Sequence, residues 1–198
     1  MKSTAKMVMI AWLVLMWVIP AFAATPYSSN ANLAVQWLSS HQNIDGSWGA
    51  GDTKYPCTAE AVLALQAMNQ RNSAYYWGIS WLENNSPQNI DYMARRILAL
   101  APHGDNVIAE VASLQAAQAL AQPGNSGWGL TLAYQGSPLD SALAILAYSQ
   151  QGLTTNVPAA LAYLKSSQLT TANDMGWPVA QESTSDPATT ALVIMALA

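Results

Sequence analysis

The sequence predicts an all-α protein built from about four copies of one helical hairpin. Four segments rich in Ala and Leu align without gaps, at offsets of 35, 48 and 49 residues. A more polar segment with helix-forming residues precedes each of them, and Gly, Pro and Asn separate the segments. No stretch shows the sustained alternation of apolar and polar residues that is typical of a strand. The repeat period is typical of helical-hairpin arrays.

The four aligned segments begin at Thr58, Met93, Ser141 and Thr190. Each is eight residues long, with Ala second, a β-branched residue fifth and Ala seventh. Because Ala and Leu favour helices and the segments are apolar nearly all round, they predict four buried helices in an inner layer.

Helix starts are indicated where a capping side chain directly precedes Pro, which suits the first helical turn. This pattern occurs at Ser86, Ser137 and Asp186. A negative charge is also favourable in a first turn, which is the predicted role of Asp140 and Asp186. The outer helices, each with one polar side, are predicted at residues 30–41, 73–84, 106–121 and 156–167.

The composition excludes some classes of partner. Hydrophobic residues make up 52% of the 198 residues. Charged residues make up 9%, whereas about a quarter of the residues in an average protein are charged. With seven Lys and Arg residues and a net charge of −4, the chain has no basic cluster that could neutralise phosphates. We therefore expect no nucleic-acid partner.

The N-terminus predicts export. Lys2 and Lys6 precede an apolar stretch over residues 7–19, and Ala21 and Ala23 form the small-residue pattern of a signal-peptidase site. We predict a signal peptide over residues 1–23 and a repeat domain over residues 24–198, secreted, periplasmic or at the cell surface. A transmembrane anchor is the alternative, but the apolar stretch is short and ends at a Pro. Membrane contact is then limited to the signal segment during export.

The loop after the first outer helix carries a motif of its own. Trp37 and Leu38 are followed by Gln42 and then by Gly46 and Trp48, with one residue between the last two. This pattern resembles the QW repeat of terpene cyclases, of the squalene cyclase type. Degenerate versions occur at Gln168 with Trp177, where the insert is longer and no residue separates Gly from Trp, and at Gln118 with Trp128, where Ser113 replaces the aromatic residue.

The resemblance implies an α/α toroid, in which outer helices surround a ring of inner helices. The same architecture serves squalene and hopene cyclases, prenyltransferases, thioester domains and cobalamin carriers. It also implies that the Gln and Trp residues form structural clasps, in which the amide caps a helix end and stacks on the indole. The clasp residues would be Gln42, Gly46, Trp48, Gln118, Trp128, Gln168 and Trp177. Six hairpins would need about 250 residues or more, so four hairpins predict an incomplete ring.

Catalytic motifs are missing from the sequence. The squalene cyclase group uses an Asp-x-Asp-Asp acid cluster, and the eleven acidic residues here are dispersed. Cys57, the only cysteine, has no Asp two positions away for a prenyltransferase-like zinc site and no Gln at thioester spacing. It forms no intrachain disulfide and is expected to be a small buried residue. We predict no catalytic residue, metal site or cofactor.

A ligand surface is predicted where the inner helices begin. If these helices open on a common centre, as the resemblance implies, their first-turn positions line one cavity, and these positions differ in size and charge between repeats. Ordinary capping and solvent contact is the alternative interpretation. The candidates are Cys57, Thr58, Asp91, Tyr92, Asp140, Ser141, Thr189 and Thr190.

These observations favour a secreted, non-catalytic binding module, the N-terminal part of a larger extracellular or surface protein, with an unidentified ligand or protein partner. One alternative is a terpene cyclase-like enzyme whose acid motif lies beyond residue 198. Another is a carrier of a small ligand of the cobalamin type.

Overall fold

The computed structural model describes residues 28–119, 126–131, 134–171 and 173–198. Within these ranges the secondary structure is helical, apart from one isolated bridge between Thr171 and Asp174. The prediction of an all-α protein is confirmed. The outer helices are α1 (Ser28–Ser40), α3 (Ser73–Asn84), α5 (Ile108–Ala119) and α7 (Val157–Ser166). The inner helices are α2 (Lys54–Ala67), α4 (Ile90–Leu100), α6 (Pro138–Gln150) and α8 (Pro187–Leu197).

The inner helices form one layer in chain order. Helix α2 contacts α4, α4 contacts α6, and α6 contacts α8. The outer helices pack on this layer, and each of α3, α5 and α7 contacts the inner helix that precedes it. Short turns join these pairs. Three of the four outer-to-inner loops are longer and carry the Gly and Trp residues of the motif, whereas the loop between α3 and α4 is short and has neither.

Small residues allow the inner helices to approach one another closely. Ala59, Ala94 and Ala142, the second residues of three aligned segments, are completely buried. Helix α6 lies between α4 and α8, and most of its side chains are buried, including Leu143 and Tyr148. The apolar character of this helix on all sides is thus explained by neighbours on all sides.

Helix α8 has one covered face and one open face. Thr189 and Val193 are buried, whereas Ile194 and Met195 are 57% and 61% exposed. Because α8 is apolar on both sides, the open face is an exposed apolar surface at the end of the inner layer.

Two of the three predicted helix starts are confirmed. The side chains of Ser137 and Asp186 accept the backbone N–H groups of Asp140 and Thr189, at the starts of α6 and α8. The predicted start at Ser86 is wrong.

Helix α4 begins instead at Ile90, and Asn89 is its cap, accepting the Tyr92 N–H at 2.8 Å. The Ile90 N–H donates to the Leu130 carbonyl at 2.9 Å, a distant contact that ties the helix start to another loop. The Ser86-Pro87 pattern gives no information about this contact, because Ile90 and Leu130 are far apart in the sequence.

The predicted signal peptide over residues 1–23 lies outside the described residues. Across the ranges that the structure does describe, none of the helices combines the length and the hydropathy that a membrane-crossing helix requires.

Candidate functional site

Three tryptophans close the loops between outer and inner helices. Each indole N–H donates to a leucine carbonyl in the second half of the preceding outer helix. The bonds run from Trp48 to Leu38 at 2.8 Å, from Trp128 to Leu114 at 2.8 Å and from Trp177 to Leu164 at 2.7 Å. The Leu38 and Leu164 carbonyls also accept a backbone N–H, from His41 and Ser167, both at 3.2 Å, so the indole adds a second donor at these two helix ends.

A hydroxyl group holds each of these tryptophans from the inner helix. The backbone N–H of the tryptophan donates to the first residue of the aligned segment, a Thr or a Ser. The acceptors are Thr58 for Trp48 at 2.9 Å, Ser141 for Trp128 at 2.9 Å and Thr190 for Trp177 at 3.0 Å. Sequence reasoning missed this role, although a signal existed: the second repeat, which has no Gly-Trp loop, has Met93 in place of the hydroxyl residue.

The glutamine amides link each loop to the next outer helix. The Gln42 amide donates to the Gly46 carbonyl and to the Ala74 carbonyl in the first turn of α3, both at 2.8 Å. The Gln118 amide donates to the Ser126 carbonyl and to that of Asn156, the N-cap of α7. These amides therefore connect successive repeats.

Gln168 and Gly46 each differ from their counterparts in the other repeats. Gln168 donates to the Met175 carbonyl at 2.7 Å and forms no second bond among the described residues. Gly46 has a φ of +89°, and a Cβ atom there would lie 2.6 Å from the Trp77 carbonyl oxygen. Only glycine fits so close to α3 with this backbone conformation.

Removing the hydroxyl that accepts the Trp128 backbone N–H should destabilise the fold. In Ser141→Ala the buried Trp128 N–H loses its acceptor, and we expect the free energy of unfolding to fall by about 1–3 kcal/mol. Urea unfolding of the purified protein measures this. Ser113→Ala, which removes an exposed hydroxyl from α5, is the matched control and should change stability by less than about 0.5 kcal/mol. Equal effects of the two substitutions would contradict the role given to Ser141.

The second repeat uses an arginine where the others use an indole. The Arg96 guanidinium donates to the Leu82 carbonyl at 2.6 Å and to the Asn85 carbonyl at 3.1 Å, at the end of α3. It also forms an ion pair with Glu110 at 3.0 Å, in helix α5. Arg96 thus caps the equivalent outer helix by different chemistry.

The eight predicted cavity residues fall into separate environments. Thr58, Ser141 and Thr190 hold the tryptophan loops, and Thr189 is buried at the start of α8. Cys57 is exposed, so the prediction of a buried cysteine is wrong. Helix α2 lies at one end of the described inner layer, in contact with α4.

Charged residues of the set cluster around Arg95. This guanidinium pairs with Asp91 on the same helix and with Glu60 on α2. Asp140 is 4% exposed, and the Ser137 hydroxyl donates to it. Burial raises the pKa of Asp140 to about 6, with Asp91 adding to the rise.

Tyr92 is the predicted residue that lines an open cavity, of about 660 Å³, between the starts of α2 and α4. Its ring stacks on that of Tyr55 at 4.7 Å with an interplanar angle of 7°, and its hydroxyl donates to the Asp52 carbonyl at 2.9 Å. Trp81 meets Tyr55 edge to face. Side-chain amides complete much of the lining, from Asn84, Asn85, Gln88 and Asn89.

A second cavity of about 520 Å³ adjoins the first. The two share Trp81, Asn84 and Asn85, and the second adds the exposed ring of Trp77. We call the two together the amide–aromatic groove. Rigid aromatic rings beside convergent hydrogen-bonding groups are typical of ligand sites.

Comparisons with known proteins add no relative, since no family model, curated protein or solved structure matches the chain. Within the part of the chain that the structure describes, no three His, Cys, Asp or Glu side chains gather where they could hold a metal ion. The amide–aromatic groove brings aromatic rings and side-chain amides together along two open cavities.

Proposed function

We propose that this chain is an exported, non-catalytic helical-repeat module that binds a ligand in the amide–aromatic groove. The observation that carries the proposal is the cavity of about 660 Å³ where Tyr92, Tyr55 and Trp81 meet four side-chain amides. Aromatic rings supply contact area at little entropic cost, and amides supply both donors and acceptors. The residues at the equivalent positions of the other repeats are of different types, whereas the inner-helix segments keep the same pattern in all four repeats.

The architecture fits such a role. The clasps hold the outer-to-inner loops on a frame of packed helices, and binding residues are often carried by loops on a rigid scaffold. The groove lies at one of these loops and at the start of α4. Its lining offers neutral hydrogen-bonding groups, and Lys54, the cation in the lining, is paired with Asp45 at 2.7 Å.

A second part of the proposal is that the chain forms one section of a larger α/α toroid of the terpene cyclase type, within an extracellular or surface protein. The open face of α8 and the single bond of the Gln168 amide support it, because a further hairpin would cover the face and supply the second acceptor. Codons for another hairpin after that of Ala198 are expected. An immediate stop codon would contradict this part of the proposal.

Ligand binding is tested with a defined panel: neutral tetrasaccharides, cobalamin, farnesyl diphosphate and a tetrapeptide. One class should bind in saturation-transfer NMR and be recovered chemically unchanged. Gln88→Ala should weaken its binding about threefold or more, the loss of one hydrogen bond. Gln36→Ala, an exposed glutamine on α1, is the control and should leave affinity unchanged.

A second variant, Tyr92→Ala, should weaken binding more strongly, with circular dichroism checking that the helices remain. The proposed function is wrong if no class binds or if Gln88→Ala and Tyr92→Ala both bind as the wild type does. Conversion of the ligand would overturn the non-catalytic assignment.

A further inference from the structure

The amide–aromatic groove combines two features that recognise a particular class of molecule. Its rings are Trp77 and Trp81, one helical turn apart on α3, followed by Tyr92 on α4. Side chains four apart lie on the same helix face, so the two indoles line the groove in succession. The amides of Asn84 and Asn85 belong, together with Trp81, to the part of the lining that the two cavities share.

The amides have hydrogen-bonding capacity left for a ligand. Asn84 and Asn85 use their NH₂ groups to donate to the Ser80 and Trp81 carbonyls, each at 2.8 Å. Their amide oxygens remain as acceptors directed by these bonds. Asn89 uses its oxygen as the cap of α4, which leaves its NH₂ group as a donor. The groove therefore offers both fixed acceptors and a fixed donor.

The electrostatics of the lining disfavour anionic ligands. Lys54 is engaged with Asp45, and the remaining cavity-lining residues other than Asp52 are uncharged. A phosphate or diphosphate needs a free cation, and none lines the groove. A long apolar isoprenoid would leave the amides without partners, at a cost for each buried polar group.

We propose that the groove binds a neutral oligosaccharide. A sugar ring has C–H bonds on its faces, which pack on aromatic rings, and hydroxyls around its edge, which both donate and accept hydrogen bonds. Two adjoining cavities along successive rings suit at least two sugar units. This inference rests on the proposed function, because it names the ligand class of the same site.

The test uses four neutral tetrasaccharides: maltotetraose, cellotetraose, xylotetraose and chitotetraose. Isothermal titration calorimetry measures their binding to the purified protein. The part of the indole-fluorescence change that is lost in Trp77→Ala reports contact with that ring. At least one should bind. Trp77→Ala should reduce its affinity about tenfold or more.

Trp37→Ala is the matched control, because Trp37 and Trp77 are both 58% exposed on outer helices and only Trp77 lines the groove. It should change the affinity less than about twofold. Equal affinity of Trp77→Ala and the wild type for the sugar would overturn the inference.

The remaining outcomes separate the two proposals. If no tetrasaccharide binds but cobalamin, farnesyl diphosphate or the tetrapeptide binds and is weakened by Gln88→Ala, the carbohydrate inference is wrong and the proposed function stands. If nothing in the panel binds, both are wrong.

Discussion

Replacing Trp128 with alanine is expected to lower the free energy of unfolding by about 3–5 kcal/mol, as for other buried tryptophans. The side chain is 1% exposed and packs edge to face on Tyr148, with ring centroids 5.3 Å apart. The substitution would leave a cavity and also deprive the Leu114 carbonyl of its indole donor. Both losses occur in the centre of the core, next to α6.

Chemical unfolding of Trp128→Ala and Trp37→Ala measures this effect. The exposed Trp37 should cost less than about 0.5 kcal/mol. Trp128→Phe separates the two causes, because it keeps much of the apolar area and removes the N–H donor. Similar stability of Trp128→Ala and Trp37→Ala would show that the clasp contributes nothing to the fold.

The second large effect concerns the pH dependence at Asp140. Burial raises its pKa from 3.8 to about 6 in the folded protein, so between these values the folded state binds the proton more tightly than the unfolded state. The stabilisation is complete below pH 4 and is lost as the pH rises through about 6. Two pKa units correspond to about 3 kcal/mol. At neutral pH the ionised, buried carboxylate is therefore a cost.

Asp140→Asn should remove this dependence. Unfolding free energies measured from pH 4 to pH 7 should fall less steeply for the variant than for the wild type, and the variant should be the more stable at pH 7. Asp186→Asn is the control with the opposite sign. The Thr189 N–H lowers the pKa of Asp186, so its contribution is present at neutral pH and is lost at low pH. Parallel curves for Asp140→Asn and the wild type would contradict the buried-charge argument.

The sequence predicted the helices well because their signals are local. The segment beginning at Ser141 contains helix-forming residues with small ones at fixed places, and the structure has α6 there. The caps at Ser137 and Asp186 also depend on neighbouring residues alone. Residues 73–84 were predicted as a helix with the same bounds as α3.

The wrong predictions concern features that are set by contacts between residues far apart in the sequence. The start of α4 depends on the Leu130 carbonyl, forty residues further along the chain, and the exposure of Cys57 depends on how α2 packs against the rest of the fold. The groove likewise joins the α3 side chain of Trp81 to Tyr92 across a loop. Tyr92 was among the eight predicted residues, but neither Trp77 nor Trp81 was, since a tryptophan in a helix predicts packing as readily as binding.

The two donor bonds of each bridging glutamine have a consequence for motion. Gln42 holds its own loop through Gly46 and the neighbouring helix through Ala74, so one side chain shares its amide between two repeats. Local opening of that loop would also release the start of α3. Amide hydrogen exchange in the loop and in the first turn of α3 should then occur in the same opening event. Neighbouring repeats would therefore open cooperatively rather than one at a time.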